Sequence, residues 1–350
     1  MIGTMRAVLY DHVGERPRLT ELAIPACPPD GALVRVEATG VCRSDWHAWR
    51  GHDPVPLPMV PGHEFAGVVA EVGDAVMRFR VGDRVTAPFV NGCGRCEWCR
   101  RGEAQVCPDQ TQPGFTRHGS FADYVVVTAA DLNLVALPDS VSFDAAAALG
   151  CRFATAFRAV TRHGRVVAGD EVVIFGAGGV GLSAVMIATA LGARTTVVDL
   201  SDAALRLAEE LGATTVIRWT DTSQVEAAVI ETTRGGADVT IDAVGSADTA
   251  ASGVRSLRRR GTHVQVGLML GAASLAPVPW DRVIAWELRV LGSHGMAAAD
   301  YPELLAMIEA GRVDPARLIA GTTNLAGAID ALVGMDAAVP AAAGIVIARP

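Results

Sequence analysis

The chain has no surplus of positive charge. Arginine and lysine together number 30 against 38 acids, for a formal net charge of −8 and a pI near 5.5. That balance argues against a duplex nucleic-acid binder, which needs a basic face, and leaves small uncharged or cationic partners open. Disordered bulk is also lacking. Half the residues are hydrophobic and 19% are charged, a globular, core-rich composition, and 350 residues suffice for two domains. No internal repeat is visible. The opening MIGTMRAVLY lacks the apolar core of a signal peptide. The uncharged run 172–193 is long enough to span a bilayer. Gly176, Gly178, Gly179 and Gly181 instead break it into a strand, a tight turn and a helix, so no membrane partner is expected. A soluble, cytoplasmic protein follows. In that compartment thiols stay reduced, and clustered cysteines point to metal more than to disulfides.

The first 150 residues read as β-structure. Short Val-rich runs at 31–40, 64–73, 82–89 and 120–128 are separated by Gly-Asp, Pro-rich and Gly-rich turns, and 54–62, with four prolines, is loop. Residues 143–160 read as a helix interrupted near Gly150. After Gly169 strands are predicted at 171–175, 194–199, 214–217, 238–242, 262–267 and 288–292, with helical patterns between them. One is 201–212, with Ser201 as N-cap and Gly212 as C-cap. This alternation implies a doubly wound parallel sheet. Residues 301–311 form a further helix, 337–344 an Ala-rich loop, and the tail GIVIARP a last strand.

The turn IFGAGGVG (174–181) carries Gly176-x-Gly178-x-x-Gly181 between a predicted strand and helix, with Gly179 and Val180 opening the helix. Such glycines let the backbone approach a pyrophosphate at the helix N-terminus. Asp199 lies 23 residues after Gly176, near the spacing of a ribose-binding carboxylate. A tight turn without a ligand is the plainer alternative, which the surrounding pattern disfavours. A carboxylate there repels a 2′-phosphate and favours NAD over NADP. Arg206, on the next helix, keeps the phosphate in question, or is simply a solvated arginine.

Four of the seven cysteines, Cys93, Cys96, Cys99 and Cys107, are spaced C-x2-C-x2-C-x7-C. Four thiolates saturate a tetrahedral zinc and leave no position for a substrate, so this lobe reads as a structural staple whose folding depends on metal. Disulfides are the alternative, disfavoured by a reducing compartment. Arg95, Arg100 and Arg101 read as a solvated loop. Cys27, Cys42 and Cys151 remain. A reactive metal needs three protein ligands and an open position. Spacing alone does not join Cys42, His63 and Cys151, and each taken singly reads as a core thiol or a buried imidazole.

In this order, GVCRSDWH, PGHEFAG, CGRCEWC-x7-C, LGCRFATAF and FGAGGVG resemble the zinc-dependent medium-chain alcohol dehydrogenases over essentially the whole chain. The resemblance implies an α/β protein: a GroES-like β-rich catalytic domain at 1–155 and 291–350, and a doubly wound Rossmann domain at 156–290. It implies two zinc ions and NAD, with hydride passing between the coenzyme and a primary or secondary alcohol made more acidic by the metal. Cys42, His63 and Cys151 match the catalytic-zinc ligands, and Cys93, Cys96, Cys99 and Cys107 the structural zinc. Ser44 and His47 match the proton relay. Asp45 matches the carboxylate that orients the histidine ligand, Glu64 the acid near zinc, and Arg43 a pyrophosphate contact. Phe89 matches a substrate-pocket wall, with Trp46, Trp49 and Met296 as further wall residues. Cys27 matches neither metal site.

Polyol dehydrogenases of the family commonly carry Glu where this chain has Cys151 and often lack the four-cysteine lobe, which counts against a sorbitol-type substrate. An amino alcohol or polyol remains the alternative, and a non-catalytic zinc- and nucleotide-binding regulator is a more distant one. The family also implies a homodimer or homotetramer, with 270–292 as the pairing region.

Overall fold

The Val-rich segments before residue 150 pair with one another, and the apolar runs after Gly169 pair among themselves. A computed structural model describes residues 3–337 and 343–350, so most of the loop expected at 337–344 lies outside the described residues. Among the described residues the strands in the first part of the chain are β1 (Thr4–Leu9), β2 (Arg18–Ala23), β3 (Ala32–Val41), β4 (Glu64–Val72), β5 (Arg84–Thr86), β6 (Tyr124–Val127) and β7 (Val135–Ala136). They continue as β8 (Glu171–Phe175), β9 (Arg194–Asp199), β10 (Thr215–Arg218), β11 (Ala237–Asp242), β12 (Leu257–Gln265), β13 (Arg289–Gly292), β14 (Ile319–Asn324) and β15 (Ile345–Arg349). The chain divides into two compact units. One takes in the chain up to Ala154 and most of the segment from Gly295 onward; the other runs from Thr155 to His294.

In the first unit β3 is the hub. It pairs antiparallel with β15, β4 and β6 in a seven-stranded sheet ordered β14-β15-β3-β4-β5-β7, with β6 off this path. The β3–β4 register sets Gly40 opposite Glu64. Residues just after β3 and just before β4 therefore emerge at the same edge of the sheet, which brings Cys42 and His63 together across 21 positions of sequence. Two apolar clusters hold the unit, one around Phe65, Val69 and Val125, the other around Tyr10, Trp49, Phe121 and Leu325.

Two expected strands are shorter than their apolar runs. Gly82, at φ +98°, turns the chain before β5, and Phe121 N–H donates to the Pro61 carbonyl of a loop rather than to a strand. The β1–β2 hairpin has no counterpart among the expected strands, because β2 is largely exposed and its sequence RLTELA lacks a clean alternation. The helix expected over 143–160 breaks as predicted, and the break is a π turn at Leu149–Phe153 between the helices Phe143–Ala147 and Ala154–Arg158.

The second unit is a six-stranded parallel sheet ordered β10-β9-β8-β11-β12-β13. Counted from β8, this is the 3-2-1-4-5-6 order of dinucleotide-binding sheets. The long apolar run resolves into β8, a turn and the helix Gly179–Ala190, whose residues 181–188 are all buried. No helix among the described residues is long and apolar enough to cross a membrane. Ser201 caps the helix Asp202–Glu210 by accepting from Ala204 N–H, and Gly212 follows it at φ +107°. Strand β12 starts at Leu257, five residues before the apolar run, where a register shift between Ala237 and Val239 admits the extra length.

Candidate active site

His63 is fully buried between β4 and the loop before it, with its two ring nitrogens in different surroundings. Nδ1 lies 2.8 Å from Asp45 Oδ1, while Nε2 is buried with no hydrogen-bond partner among the described residues. A buried polar atom left unpaired is costly unless something binds it. Asp45, itself fully buried on the helix Arg43–Trp49, also accepts from Gly62 N–H at 2.9 Å and from Cys42 N–H at 3.0 Å. One carboxylate thus fixes the backbone on both sides of the site and the tautomer of the imidazole between them, with the proton on Nδ1.

The free Nε2 belongs to a cluster. Ligand atoms of Cys42, His63, Glu64 and Cys151 all lie within 4.8 Å of one another. Cys151 reaches it from the π turn, a widened turn of the kind found at functional sites. The turn presses on the sheet through Gly150, where a Cβ would stand 3.1 Å from Glu64 Cα, and Gly150 O accepts from Phe89 N–H at 3.0 Å. Sharing a proton with Cys151 holds the Cys42 thiol well below its usual range and pushes Cys151 well above. Burial works against a charged His63, but the charges of Asp45 and Cys42 hold its proton affinity well above that of a free imidazole. Two soft sulfurs and one imidazole nitrogen, crowded and desolvated, form a donor set that suits zinc.

Glu64, fully buried, is not loose in this cluster. Its Oε1 accepts from Arg152 N–H and Arg152 Nε, each at 3.0 Å, and its Oε2 pairs with Arg152 Nη2. Arg152 also donates to the Val41 carbonyl at 3.2 Å. Burial raises the Glu64 carboxyl while Arg152 opposes the rise. Arg152 has no place in the sequence expectation; its signal was only its position next to Cys151.

The lobe assembles as a second cluster. The ligand atoms of Cys93, Cys96, Cys99 and Cys107 lie within 4.8 Å of one another, and all seven cysteines of the chain are free thiols. Cys96 Sγ and Cys107 Sγ are 3.6 Å apart. That is far from the ~2.0 Å of a disulfide and near the ~3.8 Å edge of a tetrahedron with ~2.3 Å zinc–sulfur bonds. Burial pushes Cys99 up to about 12 and raises Cys107. It acts on Cys93 too, but backbone N–H groups and neighbouring thiols bring that residue down to about 7. Crowded thiols resist ionising together until a cation balances them, so this cluster too fits zinc. Asn133, which sequence reasoning missed, clamps the approach: its Oδ1 accepts from Gly92 N–H and its Nδ2 donates to Gly92 O, both at 2.9 Å. A Cβ on Gly92 would stand 2.8 Å from Cys99 Sγ.

The remaining expected residues fall into two groups. Ser44 and His47 follow Cys42 on its helix, both half-buried, with His47 Nδ1 3.1 Å from His52 Nδ1. The Phe89 ring stands edge-on to His63 at a centroid distance of 6.1 Å, and Phe115, not expected from the sequence, does so at 5.1 Å. Arg43 lies over the Trp46 ring and donates to the Met335 carbonyl. Trp46 is half-buried, with its indole N–H on Asp336 at 2.8 Å. Trp49 corrects the expectation of a pocket wall. It is 2% exposed in the core beside Tyr10 and Leu325, and its indole N–H donates to the Glu15 carbonyl. Met296 is buried, and Cys27 rests against the carbonyls of Gly31 and Glu71.

In the second unit the glycine turn has the expected shape. Gly176 sits at φ +95°, and a Cβ on Gly181 would fall 1.8 Å from Gly176 O, so this position requires glycine. A Cβ on Gly178 would meet nothing within 4 Å. Gly178 is therefore not glycine for packing; it leaves bare backbone at a helix N-terminus, the kind of cradle a pyrophosphate fills. Gly179 and Val180 form the half-buried first turn of that helix. Asp199, ending β9, accepts from Ala177 N–H at 2.6 Å and Ser201 N–H at 2.7 Å, and a carboxylate so held retains lone pairs for hydroxyl donors. Arg206 is exposed. Arg218, which the sequence reading did not single out, stands opposite Asp199 in the β9–β10 register and pairs with Asp202 at 3.6 Å. Asp242, also missed, is fully buried at the end of β11 and accepts from Val244 N–H, Gly245 N–H, Thr249 Oγ1 and Gln265 Nε2, bracing the next turn along the same edge.

A β-rich unit with two thiol-centred clusters that could each hold a metal ion, joined in one chain to a parallel sheet with a glycine turn at a helix N-terminus, fits a metal-dependent oxidoreductase. Residues 28–139 match the alcohol dehydrogenase GroES-like domain, and residues 179–310 match the zinc-binding dehydrogenase family. The chain is 34% identical over 314 residues to an alcohol dehydrogenase of Geobacillus stearothermophilus, covering 88% of this chain and 90% of that one. It is 35% identical over 292 residues to a sorbitol dehydrogenase of Halalkalibacterium halodurans, covering 82% of each. The structure of an alcohol dehydrogenase from Thermus sp. ATN1 superposes with a TM-score of 0.89 at 30% identity, covering 98% of this chain and 99% of that one. The chain belongs to the zinc-dependent medium-chain alcohol dehydrogenase family.

Proposed function

We propose that the protein is an NAD-dependent zinc alcohol dehydrogenase acting on primary or secondary alcohols and the matching aldehydes or ketones. The observation that carries this is the convergence of Cys42, His63 and Cys151 around a buried, unpartnered imidazole nitrogen. Those three residues hold the catalytic zinc, and Cys93, Cys96, Cys99 and Cys107 the structural one. When bound, the first zinc supplies Lewis acidity to the alcohol oxygen and NAD supplies the hydride acceptor.

The chain's own groups do the rest. Asp45 orients His63. Ser44 takes the alcohol proton, and His47 passes it towards solvent. Burial, with Arg43 and His52 nearby, lowers the proton affinity of His47 and keeps it neutral near pH 7, ready to accept. Glu64 stands by the zinc ligands. Phe89 bounds the substrate space, with Phe115 beside it. Gly176, Gly178, Gly179, Val180 and Gly181 cradle the pyrophosphate. Asp199 takes the ribose hydroxyls, and Arg206 lies towards the adenosine end.

A polyol or amino alcohol is the second reading, favoured by the likeness to a sorbitol dehydrogenase. A steady-state panel of simple alcohols, polyols and amino alcohols with NAD and with NADP separates the two. Metal analysis is expected to give two zincs per chain. Cys151→Ser is expected to abolish turnover with the fold intact, and a fully active variant refutes the assignment. The protein is further proposed to form a homodimer or homotetramer. Among the described residues edge strand β13 pairs on one side only, and Trp280 and Ile284, 58% and 76% exposed, lie in the segment before it. Sedimentation tests this.

A further inference from the structure

The strand that leads into Cys42 makes room for something other than a metal ligand. A Cβ on Gly40 would stand 2.6 Å from Glu64 Oε2 and 2.8 Å from Arg152 Nη2. Glycine here leaves space for an ion pair buried against β3. The pair is held tightly. Three N–H groups of Arg152 engage both oxygens of Glu64, and a fourth contact ties the guanidinium to the Val41 carbonyl, one residue before Cys42. The π turn matters as well. A widened turn reduces the angle between neighbouring side chains, and here Cys151 joins the cluster while Arg152, adjacent in sequence, reaches Glu64.

We propose that Arg152 is a positioning residue that holds Glu64 back from serving as a fourth ligand beside Cys42, His63 and Cys151. Glu64 has the right chemistry to be that ligand, and its oxygen lies within 4.8 Å of the other three donor atoms. What restrains it is the fork of N–H groups on both oxygens, the geometry in which arginine grips a carboxylate best. Charge gives the same result. Two thiolates and a carboxylate bring three negative charges into a buried space, and a divalent ion and Arg152 balance them. Without Arg152 the carboxylate is a buried charge whose best remaining partner is the metal. A closed set of four protein ligands is the structural kind of site, which admits no substrate. Arg152 therefore preserves the difference between this site and the four-cysteine lobe.

The inference rests on the reading of Cys42, His63 and Cys151 as metal ligands, and the test separates the two. The full-length protein is reconstituted with cobalt(II) and titrated with imidazole while its visible absorption is followed. The wild type is expected to respond. Arg152→Met is expected to lose imidazole affinity by about tenfold or more, because imidazole must then displace a bound carboxylate. Arg152→Met with Glu64→Gln is expected to return to within about threefold of wild type, a rescue that general damage to the fold does not produce. Arg152→Lys keeps the charge but not the fork and is expected to fall between them; it decides the matter if the methionine variant does not fold. A responsive wild type with an equally responsive Arg152→Met, or with Arg152→Lys at wild-type affinity, overturns the clamp alone. A wild-type spectrum indifferent to imidazole overturns the ligand assignment and the clamp with it.

Discussion

Replacing Asp45 with asparagine exchanges one carboxylate oxygen for an NH2 group and tests how the proposed catalytic cluster is held. Asp45 is fully buried and accepts three hydrogen bonds: from Gly62 N–H and His63 Nδ1 at one oxygen, and from Cys42 N–H at the other. An amide has one acceptor oxygen. If that oxygen faces Gly62 and His63, the NH2 group meets Cys42 N–H, donor against donor. If it faces Cys42, the NH2 group meets two donors. The first orientation costs less, yet it still loses one hydrogen bond to a charged acceptor and weakens two more. A single bond of this kind contributes about 1.5–3 kcal/mol. Loss of the carboxylate behind a ligating histidine typically lowers metal affinity by about 10- to 100-fold. The assay is zinc loss to a chelator, followed by metal analysis, with the four-cysteine zinc as an internal control. Asp45→Asn is expected to release one of two zincs at least tenfold faster than wild type and to leave the other untouched. Equal retention of both zincs refutes the reasoning, because the cluster would then not depend on its supporting carboxylate. Loss of both at the same rate also refutes it, since that reports global opening.

The other predictions follow the same geometry. Gly181→Ala places a Cβ 1.8 Å from Gly176 O and is expected to disrupt the second unit, seen as lost soluble yield or a lowered unfolding midpoint, whereas Gly178→Ala meets no atom within 4 Å and is expected to keep wild-type stability while raising the KM for coenzyme at least several-fold. Cys107→Ser is expected to reduce zinc content from two per chain to one and to open the lobe to protease. Burial, then Arg43 and His52, lower the proton affinity of His47, so its folded pKa lies below 6.5 and the neutral acceptor persists through pH 7. Alcohol oxidation, followed as kcat/KM against pH, is therefore expected to hold from pH 7 down to about 6.5 and to fall at lower pH as His47 protonates, and His47→Asn is expected to remove that fall. Asp199→Ala is expected to narrow the ratio of kcat/KM for NAD over NADP, and an unchanged ratio would place the discrimination elsewhere.

How much of this could be read from the residues alone depends on how far apart the interacting groups lie. Ser201 caps its helix as expected, and Gly212 ends it one position later than expected, just past the C-cap Leu211, because such signals are settled within a few residues. The glycine turn is visible for the same reason: Gly176 and Gly181 need each other across five positions. The lobe shows itself because four thiols within 15 residues have few ways to avoid meeting. Cys42, His63 and Cys151 were joined only by resemblance, since their meeting depends on the β3–β4 register and on a π turn that no short pattern announces. Trp49 misled because an aromatic beside a site and an aromatic beneath it look alike in sequence, and the helix that carries Asp45 inward also turns Trp49 into the core.

The Glu64–Arg152 pair marks the boundary of such reading most sharply. The two residues are 88 positions apart, and each taken alone suggests a solvated charge. Only the glycine at position 40, opposite Glu64 in the register, shows that the strand was kept bare to admit them. A buried arginine–glutamate pair is weak evidence for stability, because desolvation offsets most of its attraction. Its presence beside two thiolates therefore calls for another explanation. The one proposed here is chemical: a carboxylate that close to the proposed zinc ligands would become a ligand itself unless a second charge held it.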